Sequence, residues 1–279
     1  MVKNISQAFQ ESLHLLLCPI CGKDLAVKDG QLKCGKNHSF DLARSGYVNL
    51  ILKPARSAYG KGLFMSRRRL AERGFFEPLE SHIVEMLSRR AKAVDLRSLL
   101  DAGCGEGGIL ENIKNELRRD GKDVQAIGID ICKSGIQIAS KKCREIAWIA
   151  ADLAQLPVKS DSFDAVINLL SPANYLEFRR ALKRGGLLIK AVPGDRHFRE
   201  LRETIGLPYQ PNPNVRKIFK SNFSIIEENR ITRTIALNAE IRADAIAMSP
   251  LAWNHDLTNK LVDSLDEITI DISLLAGEK

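Results

Sequence analysis

Cys18-Pro19-Ile20-Cys21 is followed by Cys34-Gly35-Lys36-Asn37-His38, a C-x2-C-x12-C-x3-H pattern. A C-x2-C turn brings two thiolates to one side of a tight knuckle, and Gly22 permits the bend. The loop between the pairs has room for a small hairpin, Leu25 to Val27 and Leu32 to Lys33 around an Asp29-Gly30 turn. That hairpin would return Cys34 and His38 to complete a tetrahedron. Three sulfurs and one imidazole with no open position describe one structural Zn2+, held by Cys18, Cys21, Cys34 and His38. A redox reading of the Cys-x-x-Cys lacks a thioredoxin-type strand–helix pattern around it. Disulfides are disfavoured because Cys104, Cys132 and Cys143 are isolated. A module this small has little core, so the metal supplies much of its folding energy.

A second constellation is Asp101-Ala102-Gly103-Cys104-Gly105-Glu106-Gly107-Gly108, at the end of an apolar run. As Gly103-x-Gly105-x-x-Gly108, with Asp130 further on, it fits the dinucleotide fingerprint. As Asp101-x-Gly103-x-Gly105-x-Gly107 it resembles the first motif of class I S-adenosylmethionine-dependent methyltransferases. Context favours the second template. An acid at Asp101 can hold the ammonium of a methionine moiety, whereas beside a pyrophosphate like charges repel. Asp130, closing Ala126-Ile127-Gly128-Ile129, suits two ribose hydroxyls in either case. Asp152, in Ala151-Asp152-Leu153, is placed to accept from an adenine amino group. Ser160 to Ile167 and Leu182-Lys183-Arg184-Gly185-Gly186 follow at the spacing of the later methyltransferase motifs.

These residues need a frame. Apolar runs at Ser98–Ala102, Val124–Ile129, Trp148–Ala151, Asp164–Leu169 and Leu187–Val192 each have the length of a buried parallel strand. Helical stretches at Ile109–Arg119, Ser134–Arg144 and Tyr175–Lys183 lie between them. The alternation predicts an α/β, Rossmann-like doubly wound parallel sheet with its ligand at the carboxyl ends of the strands. Met65 to Ser88 has helical spacing interrupted at Gly74-Phe75-Phe76-Glu77-Pro78, which predicts two helices joining module to main domain. The expected division is a zinc-binding RNA-recognition module over 1–52, a basic helical connector over 53–92 and a methyltransferase domain over 93–279. The sheet pattern of 97–195 stands by itself, so the module is expected to be separable.

Of the 279 residues, 27% are charged and 44% hydrophobic, which excludes disordered, collagen-like and coiled-coil classes. No apolar run approaches the ~20 residues that span a bilayer. Ile235 to Trp253 is broken by Glu240, Arg242 and Asp244, and Leu13 to Leu17 is too short for a signal segment. A soluble, cytoplasmic protein is expected, with no membrane partner. The +8 net charge is uneven. The segment 53–92 holds ten Lys/Arg against four Glu, while 93–279 is balanced. A localised basic segment suggests a polyanion such as nucleic acid, and Arg67, Arg68 and Arg69 are the expected phosphate contacts; the alternative is that they pair with Glu72, Glu77 or Glu80 and serve only to fix the helix.

A zinc module of this spacing ahead of a class I methyltransferase resembles the large-subunit rRNA guanine-N1 methyltransferases, the RlmA family. Further matching residues are His38-x-Phe40-Asp41-x-Ala43-x-x-Gly46-Tyr47-Val48-Asn49-Leu50, Met65-x-x-Arg68-Arg69 and Gly74-x-Phe76-x-Pro78-Leu79. Pro193-Gly194-x-Arg196-His197 and Met248-Ser249-Pro250-x-Ala252-Trp253 complete the set, so the likeness runs nearly the whole chain. The resemblance implies methyl transfer from S-adenosyl-L-methionine to N1 of one guanine in a hairpin of 23S rRNA domain II, near the peptide exit tunnel. The family divides between two nearby guanines, and one branch is linked to macrolide tolerance. The resemblance implies cofactor contacts at Phe76, Gly105, Glu106 and His197, with Phe76 in a place associated with tyrosine. A homodimer is left open, and no proton acceptor for guanine N1 is assigned.

Past the fourth strand, Leu169-Leu170-Ser171-Pro172-Ala173-Asn174 lacks the Asp/Asn-Pro-Pro-aromatic tetrad of exocyclic-amine methylases. It also lacks a Pro-Cys or Thr-Cys nucleophile, and both absences favour a ring nitrogen. Asn174 or Ser171 could touch a base edge. The rival readings are a small-molecule (quinone-type) methyltransferase, a non-catalytic zinc-containing nucleic-acid-binding protein, and, third, a nicotinamide dehydrogenase.

Overall fold

The computed structural model describes residues 2–53, 59–91, 95–209, 214–252 and 264–279, with side chains from residue 7 onward. The expected boundary at 92/93 and Trp253 lie outside the described residues. Helix α1 (Val2–Ser12) leads into a three-stranded antiparallel ribbon, β1 (Leu25–Lys28), β2 (Gln31–Cys34) and β3 (Ser39–Asp41). Then come β4 (Tyr47–Asn49), α2 (Lys61–Glu72), α3 (Glu77–Ala91), β5 (Ser98–Ala102), α4 (Gly108–Arg119), β6 (Gln125–Asp130), α5 (Lys133–Lys142) and β7 (Ala147–Ala150). The chain continues through β8 (Phe163–Leu169), α6 (Tyr175–Ala181), β9 (Leu182–Pro193), α7 (Arg199–Thr204) and α8 (Asn214–Asn222). It closes with β10 (Ser224–Ala236), α9 (Ala239–Ala247) and β11 (Glu267–Glu278).

The eight strands of the large sheet run in the order β10-β11-β9-β8-β5-β6-β7-β4. From β4 to β9 all neighbours are parallel. Strand β5 is buried at every position, as a strand covered on both faces must be. Leu99 joins one core with Leu70, Ile83, Ile113 and Trp148. Its neighbour Leu100 points the other way, into a core with Phe9, Leu16, Leu32, Ile127 and Phe163. Chain order reverses on either side of β5, where a doubly wound sheet opens a crevice at its carboxyl ends.

Two expectations need correction. The sheet is not wholly parallel: β11 pairs antiparallel with β9, and β10 with β11. These strands carry polar residues that find each other across the ladder. Arg230 and Thr232 on β10 both donate to the buried Asp271 of β11, at 2.8 and 3.1 Å. No continuous apolar run marks them.

The expected module is also not set apart from the sheet. Its strand β4 is the edge strand of the large sheet, with Tyr47, Val48 and Asn49 in register with Trp148, Ile149 and Ala150. Leu17 N donates to Pro157 O and Lys159 N to Leu15 O, each at 2.9 Å. The ribbon residues Leu25, Leu32 and Cys34 belong to the same core as Leu100 and Val166.

Candidate active site and zinc site

Cys18, Cys21, Cys34 and His38 converge so that one ligand atom from each lies within 4.8 Å of every other. Cys34 Sγ is 3.4 Å and Cys18 Sγ 3.5 Å from His38 Nδ1, and Cys21 Sγ is 3.6 Å from Cys34 Sγ. Zinc–sulfur bonds of about 2.3 Å in a tetrahedron place ligand atoms roughly 3.8 Å apart, so the donor set fits zinc. The first knuckle is closed by Gly22 N donating to Cys18 O at 2.8 Å, with Gly22 at φ +66°. Burial pushes the Cys34 thiol up, but hydrogen bonds from the backbone N–H groups of Lys36 and His38 and from the Cys21 and Cys18 thiols together outweigh it and bring it down to about 6. That favours the thiolate a metal requires.

Beside the carboxyl ends of β5, β6 and β8 lies a cavity of about 1080 Å³. It is lined by six of the nine residues expected at a cofactor: Phe76, Gly103, Gly105, Asp130, Asp152 and His197. Asp101, in β5, and Glu106 and Gly107, in the loop that follows, do not line it and are buried. Gly107 has a packing role: at φ +75°, an added Cβ would collide with the Trp148 ring and lie 2.8 Å from Ala139 Cβ. Gly103 faces Ser171, whose Cβ would stand 2.6 Å from a side chain there.

Each carboxylate is held differently. Asp130 Oδ2 accepts from Gly105 N at 2.9 Å and Oδ1 from Cys132 N at 2.7 Å, which fixes its plane at the end of β6. Asp152 is exposed, and its Oδ1 accepts from Ala154 N at 2.8 Å. Asp101 is 2% exposed and its Oδ1 has no hydrogen-bond partner among the described residues. Burial pushes its carboxyl well up, relieved in part by the Arg67 guanidinium. Glu106 is likewise buried, raised by burial, and has an unpartnered Oε2. Glu80 on α3 stands close to this group, its Oε1 accepting from Asn112 Nδ2 at 3.0 Å. Burial, with Glu77, Glu116 and Glu106 nearby, raises it to about 7.

His197 stacks on Phe198, ring centroids 4.3 Å apart, and its Nδ1 accepts from Asp271 N at 3.2 Å. Burial lowers it to about 4, with the Asp271 carboxylate opposing. The ring is therefore neutral with its proton on Nε2, a hydrogen-bond donor and not a base. Asn174 lines the cavity, but its Oδ1 caps α6 through Glu177 N and its Nδ2 donates to Leu153 O.

The triplet Arg67–Arg69 is not a phosphate-binding face. Arg68 is buried and donates to Glu72 at 3.0 Å and Glu111 at 2.6 Å. Arg69 grips both oxygens of Asp244 on α9, joined by Arg73 at 3.3 Å. Arg67 turns into the cavity, with its guanidinium 5.5 Å from the Phe76 ring centroid. These guanidinium groups tie α2 to α4 and α9. Only the Arg68–Glu72 pair is local; Glu111 and Asp244 lie 43 and 175 residues from Arg68 and Arg69, beyond the reach of composition.

Sequence reasoning also missed a buried polar clamp under the cavity loop. Lys190 on β9 donates to Asn168 Oδ1 at 2.6 Å and to the Ser171 carbonyl. Asn168 in turn donates to the carbonyls of Ala102 and Pro172. Burial lowers the Lys190 ammonium to about 8. The clamp fixes the Leu169–Asn174 loop against β5; a lysine inside an otherwise apolar strand was its signal.

Comparison with known proteins agrees with this geometry. Residues 16–56 match the family model of the RlmA N-terminal zinc ribbon, and 99–186 match a methyltransferase domain. A Bacillus subtilis protein, YxjB, provisionally named a 23S rRNA (guanine-N(1)-)-methyltransferase, is 36% identical over 94% of this chain and 96% of its own. The 23S rRNA (guanine(748)-N(1))-methyltransferase of Streptomyces fradiae is 26% identical over 94% and 95%. A phthiotriol/phenolphthiotriol dimycocerosates methyltransferase of Mycobacterium tuberculosis is 31% identical, but over only 38% of this chain and 39% of that one.

Proposed function

Since the chain belongs to the family of 23S rRNA (guanine-N(1))-methyltransferases, we propose that it methylates N1 of one guanine in a hairpin of 23S rRNA domain II, near the peptide exit tunnel, using S-adenosyl-L-methionine. The observation that carries this reading is a Cys3His zinc ribbon built into the sheet that holds the glycine loop. A quinone-type acceptor requires no such ribbon, and the small-molecule relative is similar over little more than a third of this chain. Work on rRNA places the protein in the cytoplasm.

In this reading Asp130 receives the ribose hydroxyls and Asp152 the adenine amino group. His197 offers its Nε2–H to an acceptor on the cofactor, and Phe76 contributes ring surface. The cofactor supplies a methyl group on a sulfonium, a strong electrophile. The protein's main task is alignment, since a well-oriented displacement needs little covalent assistance. The Lys190–Asn168 clamp serves that task by fixing the loop at Ser171 and Pro172.

With Arg68 buried and Arg69 bound to Asp244, both already committed to carboxylates of the fold, we assign RNA affinity to the ribbon. Lys23, Lys28, Lys36 and Arg44 are exposed there and form no ion pair among the described residues. Primer extension on rRNA from a deletion strain tests the reading: the stop at one domain II guanine should vanish and return on complementation. An unchanged stop pattern would refute it. The proposed link to macrolide tolerance predicts lower tolerance in the same strain.

A further inference from the structure

A second hollow, of about 600 Å³, opens where α6 and α8 end and β10 begins. Arg179, Arg216, Lys220 and Lys279 line it against a single acid, Glu278, among the described residues. That acid is already answered from outside by Arg90, at 3.6 Å. Arg216 and Lys279 have carboxylates of their own, Glu228 at 3.0 Å and Asp161 at 2.6 Å. Arg179 and Lys220 are exposed and form no ion pair among the described residues, and Arg179 donates to Asn222 O at 2.7 Å, which ties α6 to the end of α8. Residues 93–279 carry as many acids as bases, so four cations at one hollow are a segregation of charge and not its average. A concave wall of one sign focuses its field outward, and such a field attracts a polyanion.

The hollow communicates with the cavity. Asn222 lines both, and Tyr175 lines the cavity one turn of α6, about 6 Å, before Arg179. It also lies on the ribbon's side of the sheet, since Phe178 of α6 and Phe219 of α8 share a core with Leu16 and Leu32. An RNA held by the ribbon therefore reaches it without rounding the edge of the sheet. We propose that this hollow takes backbone phosphates of the RNA strand leaving the cavity, so that the RNA is gripped on both sides of its target guanine, by the ribbon and by Arg179 and Lys220. This inference rests on the rRNA reading above and adds a second contact surface to it. Phosphates carry no sequence information, so the hollow contributes affinity and register but not the choice of base.

Fluorescence anisotropy of a 23S rRNA domain II hairpin with the full chain, over a range of salt, tests it. Arg179→Gln and Lys220→Gln should each lower the log–log salt slope by about 0.7–0.9, so the advantage of the wild type over each variant shrinks about threefold between roughly 50 and 200 mM salt. The double variant should lose about twice as much slope. Arg179→Lys, which keeps the charge, should retain the wild-type slope. Lys141→Gln, an equal loss of charge at an exposed position of α5 on the other face of the sheet, should retain it too. Calorimetry should give wild-type affinity for S-adenosylhomocysteine throughout, which shows that the variants are folded. A wild-type salt slope in the double variant overturns the inference. The same slope with slower methylation of assembled ribosomal particles overturns it in favour of a ribosomal protein as the occupant. Wild-type protein with no affinity for the hairpin overturns the rRNA reading itself.

Discussion

Replacing Glu80 by glutamine should stabilise the protein, most strongly at neutral and alkaline pH. Glu80 is 6% exposed and, among the described residues, has no cationic hydrogen-bond partner; the Asn112 amide donates to it. Burial raises its carboxyl from 4.5 to about 7. A carboxyl raised in the fold stabilises fully while protonated, below the unfolded value near 4.5, and that contribution is lost as pH rises through about 7. At roughly 1.4 kcal/mol per pH unit, the loss amounts to about 3 kcal/mol as an upper bound. Glutamine keeps the bond with Asn112 and never ionises. Urea unfolding followed by Trp148 fluorescence should therefore show Glu80→Gln ahead of the wild type by about 2–3 kcal/mol near pH 8.5 and by about 1 kcal/mol or less near pH 5. A gain of equal size at both pH values, or none near pH 8.5, would refute the reasoning that ionisation at this site opposes folding.

Three more outcomes are expected. Cys18→Ser should lose zinc, seen by emission spectroscopy, and unfold in a single transition at lower urea, because the ribbon and the sheet share a core; a separate early transition of the ribbon would contradict this. Gly107→Ala should cost about 2–5 kcal/mol of stability, from overpacking against Trp148 and a left-handed backbone, while the folded fraction binds S-adenosylhomocysteine as before; a selective loss of ligand affinity would make Gly107 a cofactor contact. Replacing Lys23, Lys36 and Arg44 by glutamine should flatten the salt dependence of rRNA-hairpin binding by about 0.7–0.9 in log–log slope per lost contact, whereas Arg68→Gln should lower thermal stability at constant slope.

The zinc ligands were legible because their spacing is local, and a knuckle and a hairpin are enough to bring them together. The strands β5 to β8 were legible because burial on both faces leaves continuous apolar runs, such as Ser98–Ala102. Strands β10 and β11 were not, since Asp271 interrupts one and Arg230 the other, and each is intelligible only opposite its partner. Asp130 and Asp152, expected from their places at strand ends, do line the cavity, but Arg67, expected at a phosphate, turns into it as well. A count of charges registers three adjacent arginines and is blind to Glu111, Asp244 and the Phe76 ring that claim them.

The strand Tyr47–Asn49 bears on how one nucleotide is told from its neighbours. A ribbon on a loose tether would let a gripped hairpin swing, and any base within reach could enter the cavity. Here the ribbon is hydrogen-bonded through β4 to β7, in the same sheet whose β6 ends at Asp130. In the function proposed above, ribbon and cavity belong to one hydrogen-bonded sheet, so the choice of target becomes a matter of reach along the RNA. Altering the length of the chain between His38 and Tyr47 would shift the site of methylation before it abolished methylation.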